Sequence, residues 1–223
     1  EGDPDKRIAI VEPGALLGTI QRTAAPFGLR FGPDPSTWAR CTIGGMIGNN
    51  ACGPRALGFG RTAENISSLD VIDGHGRRLT AGPGETPIPG LNELIDGNLD
   101  ILRTELGPFQ RRISGYSLEH LLPENGRNLA KALVGTEGTI AAVLQATIKL
   151  VDMPADPVLV VLGYPDMPSA ADAVPAILSH RAMAIEGLDA QIVEALRNAG
   201  SVVPELPPGR GWLLVEVADP DPG

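Results

Sequence analysis

Three polar, glycine-bearing segments hold the residues of this chain best suited to chemistry. They are Gly32-Pro33-Asp34-Pro35-Ser36, the run Cys41-Thr42-Ile43-Gly44-Gly45-Met46-Ile47-Gly48-Asn49-Asn50-Ala51-Cys52-Gly53, and Gly135-Thr136-Glu137-Gly138-Thr139-Ile140. A Gly-Gly pair lets main-chain N–H groups approach a ligand with no side chain in the way. Thr42, Asn49 and Asn50 add short polar contacts beside that backbone, and successive N–H groups in such a turn can form a concave site for an anion such as phosphate. The same glycines would serve equally well where two segments only cross closely. In the third segment the turn is either a plain hairpin device or a way to present amides and Glu137 at a sheet edge. Residue types and spacing leave both alternatives open. The dinucleotide GxGxxG fingerprint and the P-loop are absent, so nucleotide binding of those two kinds is not supported.

Other chemistries find less support. His75, His120 and His180 lie far apart, and each reads as a surface or locally hydrogen-bonded residue. Cys41 and Cys52 match no zinc or redox spacing, so they read as small buried residues in a reducing, cytoplasmic compartment, and no metal site is expected in the chain. The net charge of −9 argues against nucleic acid as a partner, because phosphate neutralisation needs a basic surface. Arg77-Arg78 and Arg111-Arg112 read as solvated surface. No apolar run approaches the ~20 residues of a membrane span. The first residues, Glu1-Gly2-Asp3-Pro4, carry no leader pattern; they lack Met and lead almost directly into a strand, which suggests a start inside a longer protein.

The elements that must position the three segments follow from hydrophobic period. Residues 7–11 predict a strand. A helix follows with Pro13 in its first turn and Leu16, Ile20, Ala24 and Phe27 along one face, closed by Gly28. Residues 30–60 show no period and read as a long functional loop. Residues 66–72 and 77–80 form a hairpin about Asp73-Gly74-His75-Gly76. Helix is expected around Leu91 to Leu102, broken near Gly97, and again over residues 128–133. The clearest alternation places Ile140, Ala142, Leu144, Ala146, Ile148 and Leu150 on one side of a long strand. Residues 152–157 then read as a linker. Beyond them come strand 158–162, helix 169–178 kinked by Pro175, strand 183–186, helix 189–198 and strand 212–217. That run is too short for a complete domain and reads as the opening of a second one.

Taken in order, Val11-Glu12-Pro13-Gly14, the Gly32–Ser36 segment, Thr42-Ile43-Gly44-Gly45, Asn49-Asn50-Ala51-Cys52-Gly53 and Gly135-Thr136-Glu137-Gly138-Thr139 resemble the FAD-linked oxidase family. Its FAD-binding domain has the vanillyl-alcohol-oxidase (PCMH-type) fold. The run Ser114-Gly115-Tyr116-Ser117-Leu118-Glu119-His120-Leu121-Leu122-Pro123-Glu124-Asn125-Gly126 resembles its subgroup of long bacterial proteins that join the flavin unit to an iron–sulphur region, similar to D-lactate, glycolate and D-2-hydroxyglutarate dehydrogenases.

The resemblance implies an α+β chain. Residues 1–153 would be the second subdomain of a PCMH-type FAD-binding domain, and residues 154–223 the start of an α+β substrate (cap) domain. It implies non-covalent FAD lined by Pro33, Asp34, Pro35, Ser36, Thr42, Ile43, Gly44, Gly45, Asn49, Ala51, Cys52 and Gly53. A second strip would be Glu137, Gly138, Thr139, Ile140 and Val143. The reaction implied is oxidation of a D-2-hydroxy acid by hydride transfer to flavin, with Arg111, Arg112 and Tyr116 candidates to face the substrate carboxylate. An iron–sulphur cluster and a divalent metal would be held elsewhere in the full-length protein. The family's glycine- and serine-rich pyrophosphate loop and its metal-holding histidine segment find no match here, so the catalytic residues are expected outside the chain, and the piece alone is expected to bind FAD weakly or not at all and not to turn over. Two alternatives share the fold: a non-catalytic module, and a flavin reductase of the muramic-acid-precursor type.

Overall fold

The computed structural model describes residues 1–84, 86–106 and 115–219. Arg111, Arg112 and Ser114 of the sequence reading therefore lie outside the described residues. The chain forms two compact units, one of Glu1–Gly53 with Gly60–Met153, the other of Pro54–Phe59 with Pro154–Gly223. Helices and antiparallel sheets make up both, an α+β architecture.

In the first unit, strands β1 (Gly2–Asp3), β2 (Ile8–Val11), β3 (Leu29–Phe31), β4 (Ile66–Asp73), β5 (Arg78–Ala81) and β6 (Ala141–Asp152) join in a six-stranded sheet. Its order is β1-β2-β6-β4-β5, with β3 also paired to β6. The hairpin between β4 and β5 is locally encoded: Asp73 Oδ1 accepts from the N–H groups of both His75 and Arg77, an Asx-type turn that Asp and Gly favour. One face of the sheet carries helices α1 (Leu17–Ala24), α2 (Ile43–Asn49) and α6 (Leu129–Leu133), and their apolar residues share its core with Leu69, Val71, Ala146 and Ile148. Short helices α4 (Leu91–Asp96) and α5 (Leu99–Ile101) add Ile95 and Leu99, and Gly97 separates them as the sequence predicts.

Three expectations for this unit change. Helix α1 begins at Leu17, after an extended Leu16, so Pro13 sits in the preceding turn, where its carbonyl is used by Gly44 N–H at 2.8 Å. Residues 30–60 are not a continuous loop: they contain β3, α2 and, in the second unit, α3 (Ala56–Phe59). The glycines of α2 mask a real helical period, in which Ile43, Met46 and Ile47 are all buried. Finally, the six alternating residues of β6 do not share one face. Asp70 pairs with Gln145 but Val71 pairs with Val143, so a bulge at Leu144 inserts one residue and flips the pleat. Ala141 and Val143 pack on the core before the bulge and Ala146, Ile148 and Leu150 after it, while Ile140 and Leu144 stay 39% exposed.

The second unit has strands β7 (Ala155–Tyr164), β8 (Ala184–Asp189) and β9 (Gly211–Asp219) in the order β7-β9-β8, with β9 antiparallel to both neighbours. Helices α7 (Met167–Leu178) and α8 (Ala190–Asn198) follow β7 and β8. The alternation of strands and helices read from sequence is present, and the pairing makes it a split β–α–β with β9 as the central strand. Asp166 caps α7 by accepting from Ser169 N–H, and Asp189 caps α8 by accepting from Ile192 N–H. Such caps satisfy an N–H that the helix itself cannot. Pro175 lies inside α7. Only two residues separate β6 from β7, and the division between the units falls there, at Met153.

Candidate functional site

Helix α2 organises the first unit's glycine segments. Thr42 is extended and caps the helix: its Oγ1 accepts from Gly45 N–H at 3.1 Å. Ile43 N–H donates to the Ala15 carbonyl at 2.9 Å, and Gly44 N–H to that of Pro13 at 2.8 Å. The N–H groups of 43 to 45 are thus all engaged within the protein. The concave anion site that the Gly-Gly pair suggests is not formed by these amides.

The glycines separate by role. A Cβ on Gly44 would stand 2.8 Å from Pro13 Cβ and 3.0 Å from its carbonyl oxygen, so this glycine is there for a close crossing. A Cβ on Gly53 would overlap the Asp34 carbonyl and lie 2.5 Å from its Oδ1. That contact sets the Gly32–Ser36 segment against the end of the second segment. Gly45 is different: a Cβ there would meet only Thr42 Oγ1, at 3.2 Å, and otherwise fill open space.

The C-terminal end of α2 holds the third segment. Asn50 closes the helix in the left-handed region at φ 45°. The carbonyls of Ile47 and Gly48 accept from Gly135 N–H at 2.8 Å and Glu137 N–H at 3.0 Å. Helix ends leave such carbonyls without intrahelical partners, and here the turn of residues 135–139 supplies them. Within the turn, Thr136 Oγ1 donates to Leu133 O at 2.8 Å and Thr139 Oγ1 to Thr136 O at 2.6 Å. The single proton of Thr139 is thereby committed, so in its 2.9 Å bond with Tyr116 the phenol is the donor.

The loop after α2 is pinned from below. The hydroxyl of Thr62, fully buried, donates to the Ala51 carbonyl at 2.7 Å, and Ala63 N–H donates to Asn50 Oδ1 at 3.0 Å. Arg61 and Glu64 brace this support with an ion pair of 3.0 Å. Burial works to raise the Glu64 carboxyl, but the Arg61 side-chain and backbone hydrogen bonds outweigh it and hold its pKa below the ordinary value. Burial likewise holds the nearby His120 imidazole below its ordinary value, against the opposing pull of Glu119.

Two clefts flank α2. Thr42, Gly45, Met46 and Asn49, at i, i+3, i+4 and i+7, line a polar cleft of about 470 Å³ with Pro35, Thr37, Arg40, Cys41 and Ala51. Gly44, Ile47 and Gly48 line a smaller apolar one of about 160 Å³ with Pro13, Val71, Leu133, Thr136, Gly138, Ala141, Ala142 and Val143. The predicted residues Pro35, Thr42, Gly45, Asn49 and Ala51 therefore meet in the first cleft, and Gly44, Gly138 and Val143 in the second. Ile43 and Pro33 are buried, Ser36, Glu137, Thr139 and Ile140 are exposed, and Asp34 pairs with Arg30 at 3.6 Å. None of these seven lines either cleft, nor do Cys52 and Gly53. Sequence reasoning missed Pro13, Ile47, Gly48, Thr37 and Arg40. The helical period of α2 could have revealed Ile47 and Gly48; nothing local signals Arg40.

Thr42→Ala is expected to cost the first unit about 1 kcal/mol, the ordinary worth of an N-cap, and Thr42→Ser much less. Urea unfolding of the two variants checks this, and equal losses would show that the cap bond is not the cause.

Residues 1–82 match the family described as FAD binding domain. This stretch belongs to that family. It contains the first two glycine segments, α2 and the polar cleft. Over longer spans the chain is 28% identical to a D-2-hydroxyglutarate dehydrogenase of Pseudomonas putida, over 85% of the chain and 20% of that protein. It is 31% identical to a D-lactate dehydrogenase of Archaeoglobus fulgidus, over 87% of the chain and 36% of that protein. With the glycolate oxidase subunit GlcD of Bacillus subtilis the identity is 29%, over 80% of the chain and 31% of that protein. The chain thus spans between 20% and 36% of the length of these relatives. Among solved structures, an alkyldihydroxyacetonephosphate synthase superimposes with a TM-score of 0.59 at 14% identity, over 97% of the chain and 35% of that protein, a likeness of fold.

Proposed function

We propose that this chain is part of an FAD-dependent oxidoreductase that oxidises a D-2-hydroxy acid. In this reading, residues 1–153 are part of the flavin-binding domain and residues 154–223 begin a substrate-side domain. The observation that carries it is the pair of clefts sharing α2 as a common wall, lined by residues from all three glycine segments. Relatives named for three 2-hydroxy acid oxidations support the substrate class.

The residues present fit one side of a flavin. Gly45 leaves an open face that a Cβ would fill, Thr42 keeps its hydroxyl proton for a ligand after accepting from Gly45 N–H, and Pro35 supplies a flat apolar wall. When bound, FAD would supply the acceptor for the hydride leaving the substrate's α-carbon. The chain's own part is to bind and orient: Thr42 and Asn49 offer polar contacts, and the apolar cleft of Ile47, Val71, Leu133 and Val143 excludes water. Ser36, Cys52 and the exposed Glu137–Thr139–Ile140 strip would extend this wall, with FAD held non-covalently. Among the described residues no group of three His, Cys, Asp or Glu could hold a metal ion. In this reading an iron–sulphur region and a divalent metal belong to other parts of the protein. No helix of the described residues is long and apolar enough to cross a membrane.

The test is the visible spectrum of the whole protein as its gene encodes it. Flavin bands are expected, and anaerobic addition of D-2-hydroxyglutarate, D-lactate or glycolate should bleach them with at least one of the three. A purified protein without flavin bands, or with bands that none of the three bleaches, overturns the proposal.

A further inference from the structure

The polar cleft holds a charge that flavin positioning does not use. Its nine lining residues include one cation, Arg40, and no carboxylate, although acids outnumber bases in this chain by 27 to 18. Elsewhere in the first unit, Arg30, Arg61, Arg77, Arg78 and Arg127 each hold an aspartate or glutamate. Arg40 holds none among the described residues, and its side chain has no hydrogen-bond partner there. Its main chain is nevertheless fixed: Arg40 N–H and Cys41 N–H both donate to Thr37 O, at 2.8 and 2.9 Å. An arginine at a defined position in a cleft without acids is a standing anion partner, because a guanidinium presents paired N–H groups that match a carboxylate or phosphate. Two hydroxyls, Thr37 and Thr42, line the same cleft and can donate beside it.

We propose that this cleft is an oxyanion subsite, with Arg40 as its cation and Thr37 and Thr42 as supporting donors. The shared chemistry is an anionic oxygen pair, from a phosphate of the dinucleotide cofactor or from a carboxylate of the hydroxy acid. The assignment rests on the flavoenzyme reading for its two sources, but the subsite itself rests only on the charge and geometry of the cleft.

The experiment uses the whole protein, with any flavin removed, as wild type, Arg40→Met and Arg40→Lys. Each is titrated calorimetrically with sodium pyrophosphate and, separately, with sodium succinate. At least one anion is expected to bind the wild type, and Arg40→Met to weaken it by about tenfold or more, with Arg40→Lys between the two. A response to pyrophosphate assigns the subsite to the cofactor, and one to succinate assigns it to the substrate. A wild type that binds neither, or an Arg40→Met that binds as well as wild type, overturns the subsite. Thermal melts of the variants guard against a folding defect, since Arg40 is exposed and its loss should leave the melting temperature unchanged. Neither probe is a flavin, so the outcome is independent of the spectral test: protein without flavin bands can still show the Arg40 effect, and flavin-bearing protein can lack it.

Discussion

Replacing Gly53 by alanine is expected to destabilise the first unit by about 3 kcal/mol, the upper end for forcing one methyl into a filled space. For a protein of this size, that lowers the melting temperature by roughly 6–12 °C. The added methyl would overlap the Asp34 carbonyl and crowd its carboxylate, and neither is the loose end of a flexible side chain. Asp34 cannot retreat easily, since Arg30 pairs with its carboxylate in a part-buried setting. The loop of residues 51–53 is no freer, because the Thr62 hydroxyl and N–H both bind the Ala51 carbonyl. The two glycine segments would be pushed apart, so flavin content should fall along with stability. Gly74→Ala is the control, since a Cβ there meets nothing within 4 Å. Melting within a degree or two of wild type for Gly53→Ala would show that the crossing is not tight.

In the second unit, breaking the Arg55–Glu216 pair is expected to cost about 2–3 kcal/mol. That is below the ~3–5 kcal/mol of a fully buried pair because both ends keep some solvent contact. Arg55 Nε and Nη2 donate to the two carboxylate oxygens of Glu216 at 2.8 and 2.6 Å, and the side chains are 25% and 15% exposed. The pair joins residues 161 positions apart and ties the short α3 segment to the central strand β9. Gly58 N–H adds a main-chain bond to Met183 O at 3.0 Å. Arg55→Met leaves a carboxylate with little water to replace its partner, whereas Arg55→Met with Glu216→Met together should cost clearly less than the two single changes summed. A double-mutant cycle by urea unfolding measures this, and additivity within about 0.5 kcal/mol would refute the coupling.

What the sequence alone determined is everything encoded within a few residues. Asp73-Gly74-His75-Gly76 specifies its hairpin because Asp73 binds the N–H groups two and four residues ahead. Asn128 marks the start of α6 because its own side chain caps Lys131 N–H, and Asp166 and Asp189 do the same for α7 and α8. The order of the glycine motifs also named the family that the first 82 residues match.

What only the tertiary structure decided depends on partners distant in the chain. The alternation of β6 looked continuous because a bulge is visible only against its partner strand, where Asp70 and Val71 skip Leu144. Helix α2 was hidden because three glycines depress local propensity, and the burial of Ile43, Met46 and Ile47 overrides it. Gly44, Gly45 and Gly53 are the same residue in sequence, yet the first meets Pro13, the last meets Asp34, and the middle one faces an open cleft. A glycine has no side chain to announce its role. Its meaning lies in what approaches it, and that is settled only when the whole chain has folded.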